Sequence, residues 1–202
     1  KGVATIEKVA INAVMAGAKP EYLPVIIAAV EGLSDPDFDT YHIQVCHIGS
    51  AAQISVHGPI AKEIGMNGKT AYLGPGNRAN SSIGRAINLC LLNIGWAFYS
   101  VEGGFGQGSI GRYCNVTFCE NEEDSPWESF AVEHGYSPDE SVVLVEEALG
   151  SLRGSFGTMG MKGLDAELQY LASMLSTWGG ERNPVLCLKT GNNTILMYPA
   201  QA

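Results

Sequence analysis

Gln53-Ile-Ser-Val-His57-Gly58-Pro59-Ile-Ala-Lys-Glu-Ile64 changes its period in mid-stretch. Residues 53–57 are rich in β-branched side chains and predict a strand. Gly58-Pro59 interrupts it, and a short helix through Ile64 follows. A histidine at such a strand end stands where clefts open, which makes His57 the best single choice for a general acid or base.

Upstream, Tyr41–Ile48 predicts a further strand after the turn chemistry of Ser34–Asp39. Before that turn, residues 3–17 and Tyr22–Leu33 carry apolar residues at helical spacing, separated by Pro20, and predict a packed helical pair. Downstream, a Gly/Asn loop runs from Gly65 to Asn80, and Ser82–Ile94 predicts a helix closed by Gly95. Gly103–Gly111 leads into a strand over Tyr113–Cys119, and the acidic loop Glu120–Glu128 follows. Val142–Val145 predicts another short strand, Leu164–Leu175 a helix stopping at Gly179-Gly180, and Val185–Lys189 with Thr194–Tyr198 a closing hairpin. Regular βαβ alternation is missing, so the expected class is α+β, or irregular α/β, with a mixed sheet and packed helices in a single domain over residues 1–202. The chain opens at Lys1 without Met, which suggests that an N-terminal segment is missing.

Composition narrows the function. Among 202 residues, 21 Asp and Glu outweigh 12 Lys and Arg, for a net charge of −9. That sign disfavours nucleic acid and anionic lipid as partners. No apolar run reaches the roughly 18 residues of a membrane span. Five cysteines (46, 90, 114, 119, 187) without close regular spacing suit free thiols in a reducing, cytoplasmic setting. The apolar helical pair between Val9 and Val30 carries little charge, so assembly with an identical or related chain is expected.

Two glycine-rich stretches mimic nucleotide motifs. Gly106-Gln-Gly108-Ser-Ile-Gly111 has the G-x-G-x-x-G spacing but feeds a strand rather than a helix, and Gly65-Met-Asn-Gly68-Lys69-Thr70 is two residues short of a phosphate loop. No organic cofactor is therefore expected, and a metal ion stays open. Gly74-Pro-Gly-Asn77-Arg78-Ala-Asn80-Ser81-Ser82-Ile-Gly-Arg85 is more informative. Asn80, Ser81 or Ser82 would cap the helix, and Asn77, Arg78 and Arg85 would join them in seating a carboxylate or phosphate. The bland reading is an ordinary capped core helix with Arg85 paired to an acid.

Five acids in nine residues, from Glu120 to Glu128, supply Glu120 and Glu122 as acid–base candidates or cation ligands. A solvated loop is the commoner outcome, although Trp127 behind Pro126 asks for a surface to pack on. Cys46-His47 and Cys114-x4-Cys119 lack zinc-type spacing, because on a strand each pair points to opposite faces.

Thr5-Ile-Glu-Lys-Val-Ala-Ile-Asn-Ala-Val-Met-Ala-Gly17, Lys19-Pro-Glu-Tyr-Leu-Pro24, His57-Gly-Pro-Ile60, Leu73-Gly-Pro-Gly-Asn-Arg-Ala-Asn80, Ile83-Gly-Arg-Ala86, Leu91-Leu-Asn-Ile-Gly95, Glu120-Asn-Glu-Glu123 and Ser125-Pro-Trp-Glu128 resemble the bacterial proteins found fused or adjacent to UGSC-motif (seleno)protein domains. The resemblance covers residues 4 to about 145 and implies a redox-associated or small-molecule enzyme context without naming a reaction. Two positions depart from it. Ala18 stands where such proteins commonly carry Cys, and Tyr198-Pro-Ala-Gln-Ala202 replaces a Gly-Pro-Glu-His-Ala ending. A thiol nucleophile and a Glu/His pair are both missing there.

The leading expectation is one subunit of a multimeric enzyme acting on a small anionic organic substrate by lyase or hydrolase chemistry. The anion would sit at Asn77–Arg85, with proton transfer by His57, Glu120 or Glu122. A non-catalytic structural or regulatory subunit completing a partner chain's active site is the alternative. A redox or metal protein using its cysteines is the third.

Overall fold

The structure is a computed structural model that describes residues 2–45, 51–96 and 115–148, and 165–166, 168–170 and 172–173 further on. The chain divides into two compact units, Lys1–Gly150 with Tyr198–Ala202, and Ser151–Met197. In the second unit the described residues are helical, as expected for part of 164–175. Cys46, His47, Gly103–Gly111, Cys114 and the hairpin over 185–198 lie outside the described residues. All that follows concerns the first unit.

Its element order is α1 (Ile6–Met15), a 3-10 turn (Pro20–Tyr22), α2 (Leu23–Ser34), α3 (Thr40–Val45), β1 (Ala51–His57), α4 (Pro59–Glu63), α5 (Arg78–Asn93), β2 (Val116–Cys119), α6 (Phe130–Glu133) and β3 (Val142–Ala148). Three strands form one mixed sheet in the order β2-β1-β3, with β1 parallel to β2 and antiparallel to β3. The class is α+β.

The centre of the sheet is β1, and every residue of it except Gln53 is buried. Alternation sends Ile54 and Val56 to one face and Ser55 and His57 to the other. Ile54 and Val56 join Val25, Ile26, Ile83 and Ile87, all nearly inaccessible to solvent, in a core between the sheet and α2 and α5. Gly32 lets α2 approach Val145 of β3, since a Cβ there would sit 3.1 Å from the valine methyl. The next layer is α1, capped by Thr5, whose hydroxyl accepts from Lys8 N at 3.3 Å. Its buried Asn12 accepts from Asn93 Nδ2 at 2.6 Å, tying α1 to α5. Among the described residues no helix is long and apolar enough to cross a membrane.

Two expectations are corrected. The described part of the expected strand Tyr41–Ile48, residues 41–45, is the helix α3 instead. Asp39 Oδ1 accepts from His42 N at 3.0 Å, the Thr40 hydroxyl donates to the Leu33 carbonyl, and Ile43 is buried by the helical turn. Side chains that start a helix thus outweigh a β-branched composition. The middle helix begins at Arg78 rather than Ser82, so Asn80, Ser81 and Ser82 lie inside it and cap nothing; Asn77 holds the cap position without a side-chain cap bond.

Gly58 turns the chain from β1 into α4 with φ of 86°. A Cβ there would collide with the Glu140 carbonyl just before β3. Gly65 has φ of 68° in open space. Gly65→Ala should cost about 1 kcal/mol, the conformational penalty alone, and Gly58→Ala about 2 kcal/mol or more. Urea unfolding checks this, and equal losses would show that the Glu140 backbone does not press on the turn.

Candidate functional site

Parallel pairing of β1 with β2 places both C-terminal ends on one edge of the sheet. The register ends at Val56 opposite Cys119, and the ladder runs one step further, with Glu120 N donating to the Val56 carbonyl at 3.1 Å. His57 and Glu120 thereby become neighbours although 63 residues separate them. His57 Nδ1 lies 2.7 Å from Glu120 Oε2. A carboxylate only accepts, so Nδ1 carries the hydrogen. On its other side, Nε2 lies 2.9 Å from the Ser55 hydroxyl, two residues back on the same strand face. Ser55 and His57 are both buried.

The imidazole is fixed by packing as well. It stacks on Phe130 with centroids 4.6 Å apart, and Phe130 stacks on His134 at 4.0 Å. Phe130 N, at the start of α6, donates to Glu120 at 3.1 Å to Oε2. Glu122, two residues on, accepts from Gly58 N at 2.7 Å. The three acid–base candidates His57, Glu120 and Glu122 are therefore brought together, with ligand atoms within 4.8 Å of one another. Those three side chains could hold a metal ion.

A cleft of about 400 Å3 opens beside them, lined by Gly58, Lys62, Asn67, Gly68, Lys69, Cys119 and the run Glu120–Glu123. Glu120 faces this cleft, while His57 stands behind it. One wall is the loop after α4, which three asparagines staple in place. Asn67 Nδ2 donates to Asn77 Oδ1 at 2.9 Å, Asn67 N donates to Asn80 Oδ1 at 3.0 Å, and Asn80 Nδ2 donates to the carbonyls of Asn67 and Tyr72 at 2.8 and 3.1 Å. Gly68 rests against the Cys119 backbone, where a Cβ would collide with the carbonyl.

The residues expected to seat an anion are distributed differently. Asn77 Nδ2 donates to the carbonyls of Ala71 and Gly74 at 2.7 and 3.1 Å, so Asn77 and Asn80 hold the cleft wall rather than line the cleft. Arg78 donates to the Gly17 carbonyl at 3.1 Å, beyond the end of α1. Ser82 Oγ donates back to the Arg78 carbonyl at 2.7 Å, and Ser81 and Arg85 are exposed on α5. The ammonium groups at the cleft are instead those of Lys62, which the sequence left unmarked, and Lys69 of the rejected phosphate-loop match. Both pair with Glu123, Lys69 at 2.9 Å, and Lys69 also reaches Asp124 at 3.3 Å.

Hydrogen bonds from Lys62 and then Lys69 hold the Glu123 carboxyl down at about 2, and the Asp124 carboxyl is lowered by Asn121 and then Lys69. The Lys69 ammonium is raised in turn, chiefly by Glu123. All three groups are exposed, so water screens what the network adds to stability. The acidic loop is docked through Glu120 and Glu122, but Trp127 is 62% exposed, against the expectation that it packs.

Ser55, Phe130 and Lys62 are neighbours of the candidate site that the sequence left unmarked, and Lys69 was noted only in the rejected phosphate-loop match. Only Ser55 had a usable signal, since residues 55 and 57 share a strand face. Comparison of the chain with known protein families, with curated proteins and with solved structures returns no match.

Burial pushes the Cys119 and Cys90 thiols up to about 11. At neutral pH both are protonated and poor nucleophiles. Their folded values lie above the unfolded value of 9.0, so their stabilising effect is complete below about 9 and is lost as pH rises through about 11. Cys119→Ala should flatten the fall of unfolding free energy between those two pH values. An unchanged fall in the urea titration would contradict the assignment.

Proposed function

We propose that the protein is a subunit of a multimeric enzyme that acts on a small anionic organic substrate by acid–base chemistry of lyase or hydrolase type. The observation that carries this reading is the 2.7 Å bond between His57 Nδ1 and Glu120 Oε2 at the edge of the cleft.

Glu120 is the group that meets substrate. Its carboxylate is oriented by the His57 N–H and the Phe130 N–H, which leaves lone pairs for a substrate proton. Behind it the imidazole disperses the charge change, since Nε2 faces the Ser55 hydroxyl, a group that can donate or accept. His57 and Ser55 are positioning residues in this scheme. Lys62 and Lys69 supply the positive side of the cleft, and a substrate carboxylate would share the ammonium groups with Glu123. The high thiol value of Cys119 argues against nucleophilic or redox chemistry by that residue.

Assembly is supported by α1. Its outward face carries Ile6, Ile11, Val14 and Met15, all exposed, with Val14 at 76%. The resemblance to UGSC-associated proteins, which implies a redox-associated or small-molecule enzyme context, is compatible with this reading. The apolar face also favours a second reading, in which the chain is a non-catalytic subunit that completes a partner's site.

A panel of small oxo- and hydroxy-carboxylic acids in D2O, followed by proton NMR, tests the first reading. The wild-type assembly should turn over or deuterate a member of the panel, and Glu120→Gln should slow it about 100-fold or more, the scale of a lost general base. A rate unchanged in Glu120→Gln would move the chemistry away from this cleft and favour the second reading.

A further inference from the structure

We infer that His57, Glu120 and Glu122 bind a divalent transition-metal ion at the mouth of the cleft. The inference rests on reading this cleft as the reaction site and names an ion for it.

The first argument is charge. Lys62 and Lys69 both turn to Glu123, and among the described residues no lysine or arginine pairs with Glu120 or Glu122. Two carboxylates thus converge on a buried imidazole without a lysine or arginine beside them, an arrangement that a dication suits. The donors come from three places, the end of β1, the end of β2 and the following loop, and the sheet register fixes the first two. Asn121, between the two glutamates, has a buried amide oxygen without a hydrogen-bond partner, and it too lines the cleft.

The second argument is geometry. Ligand bonds of about 2.1 Å place neighbouring donors about 3 Å apart and opposite ones about 4.2 Å apart. The three ligand atoms already lie within 4.8 Å of one another, and Glu122 is an exposed side chain whose carboxylate Gly58 N holds through Oε1. Gly58 N and Phe130 N hold the two carboxylates from behind.

The third argument is the tautomer. Coordination needs the Nδ1 lone pair, so a neutral ring shifts its hydrogen from Nδ1 to Nε2 with no net proton gained or lost, and the ion replaces the Nδ1–H as the group that orients Glu120. Ser55 allows this, because its hydroxyl donates to Nε2 in the empty site and accepts from Nε2–H in the filled one. An imidazole with two carboxylates suits Mn2+, Fe2+ or Zn2+ better than Mg2+ or Ca2+, which prefer oxygen donors throughout.

Calorimetric titration of chelator-stripped protein with Mn2+, Zn2+ and Mg2+, in the absence of any substrate, tests the site. Expected are one Mn2+ or Zn2+ per chain at this site, Mg2+ weaker by about tenfold or more, and a loss of about tenfold or more in both Glu122→Gln and Ser55→Ala. His57→Ala should abolish binding. If that variant fails to fold, Glu122→Gln carries the test, since it alters an exposed carboxylate. No binding up to about 1 mM, or equal affinity in wild type and Glu122→Gln, overturns the inference. Either result leaves Glu120-dependent substrate chemistry standing, whereas a filled site without that chemistry would refute only the reaction.

Discussion

The hydrogen bond from Glu120 N to the Val56 carbonyl extends the parallel β1/β2 ladder one residue beyond its last paired position. The rest of the site depends on that step. It delivers a carboxylate to the buried imidazole of His57 and aims the loop after β2 across the end of β1. A one-residue slip would turn Glu120 to the other face and bring Cys119 or Asn121 to the histidine instead. The slip is opposed by the core, because Val56 and Cys119 share the buried face over α5. The same packing that stabilises the fold therefore sets the geometry of the polar edge.

Around this step, backbone constraints shape the cleft. Gly58 makes a left-handed turn pressed against the start of β3, and its N–H is left to hold Glu122. Gly68 lets the loop after α4 touch the Cys119 backbone, and Asn67, Asn77 and Asn80 tie that loop to α5. Asn80 is buried, and a buried amide is costly unless bonded, so its bonds to Asn67 and Tyr72 hold the wall against α5. Charge is partitioned across the cleft, with Lys62 and Lys69 gathered at Glu123 and the Glu120–Glu122 side left acidic.

Much of this architecture was legible in sequence because the signals were local. His57-Gly58-Pro59 marked a strand end, and Glu120 and Glu122 stood out as acids beside a strand. What was not legible arose from contacts distant in sequence. Tyr41–Ile48 read as a strand by composition; the Asp39–His42 bond that starts a helix there is local, but the Thr40 hydroxyl needs the Leu33 carbonyl in the last turn of α2. Asn80, Ser81 and Ser82 looked like caps because capping is their usual use. Asn80 is instead bonded to Asn67 and Tyr72, whose positions only the folded loop reveals. Arg78, expected at a ligand, is bonded to the Gly17 carbonyl, 61 residues away. Parallel pairing itself has no short-range signature, so the meeting of His57 with Glu120 could be guessed as a shortlist but not as a contact.

The central claim is that His57 in the metal-free protein is held as the Nδ1–H tautomer between Glu120 and Ser55. Long-range nitrogen–proton NMR correlation of the histidine rings reads this directly. The account predicts that the neutral His57 ring carries its hydrogen on Nδ1, with Nδ1–H protected from solvent exchange in wild type and exposed to it in Glu120→Gln. A metal-free His57 that carries its proton on Nε2, or that is unaffected by Glu120→Gln, would contradict it.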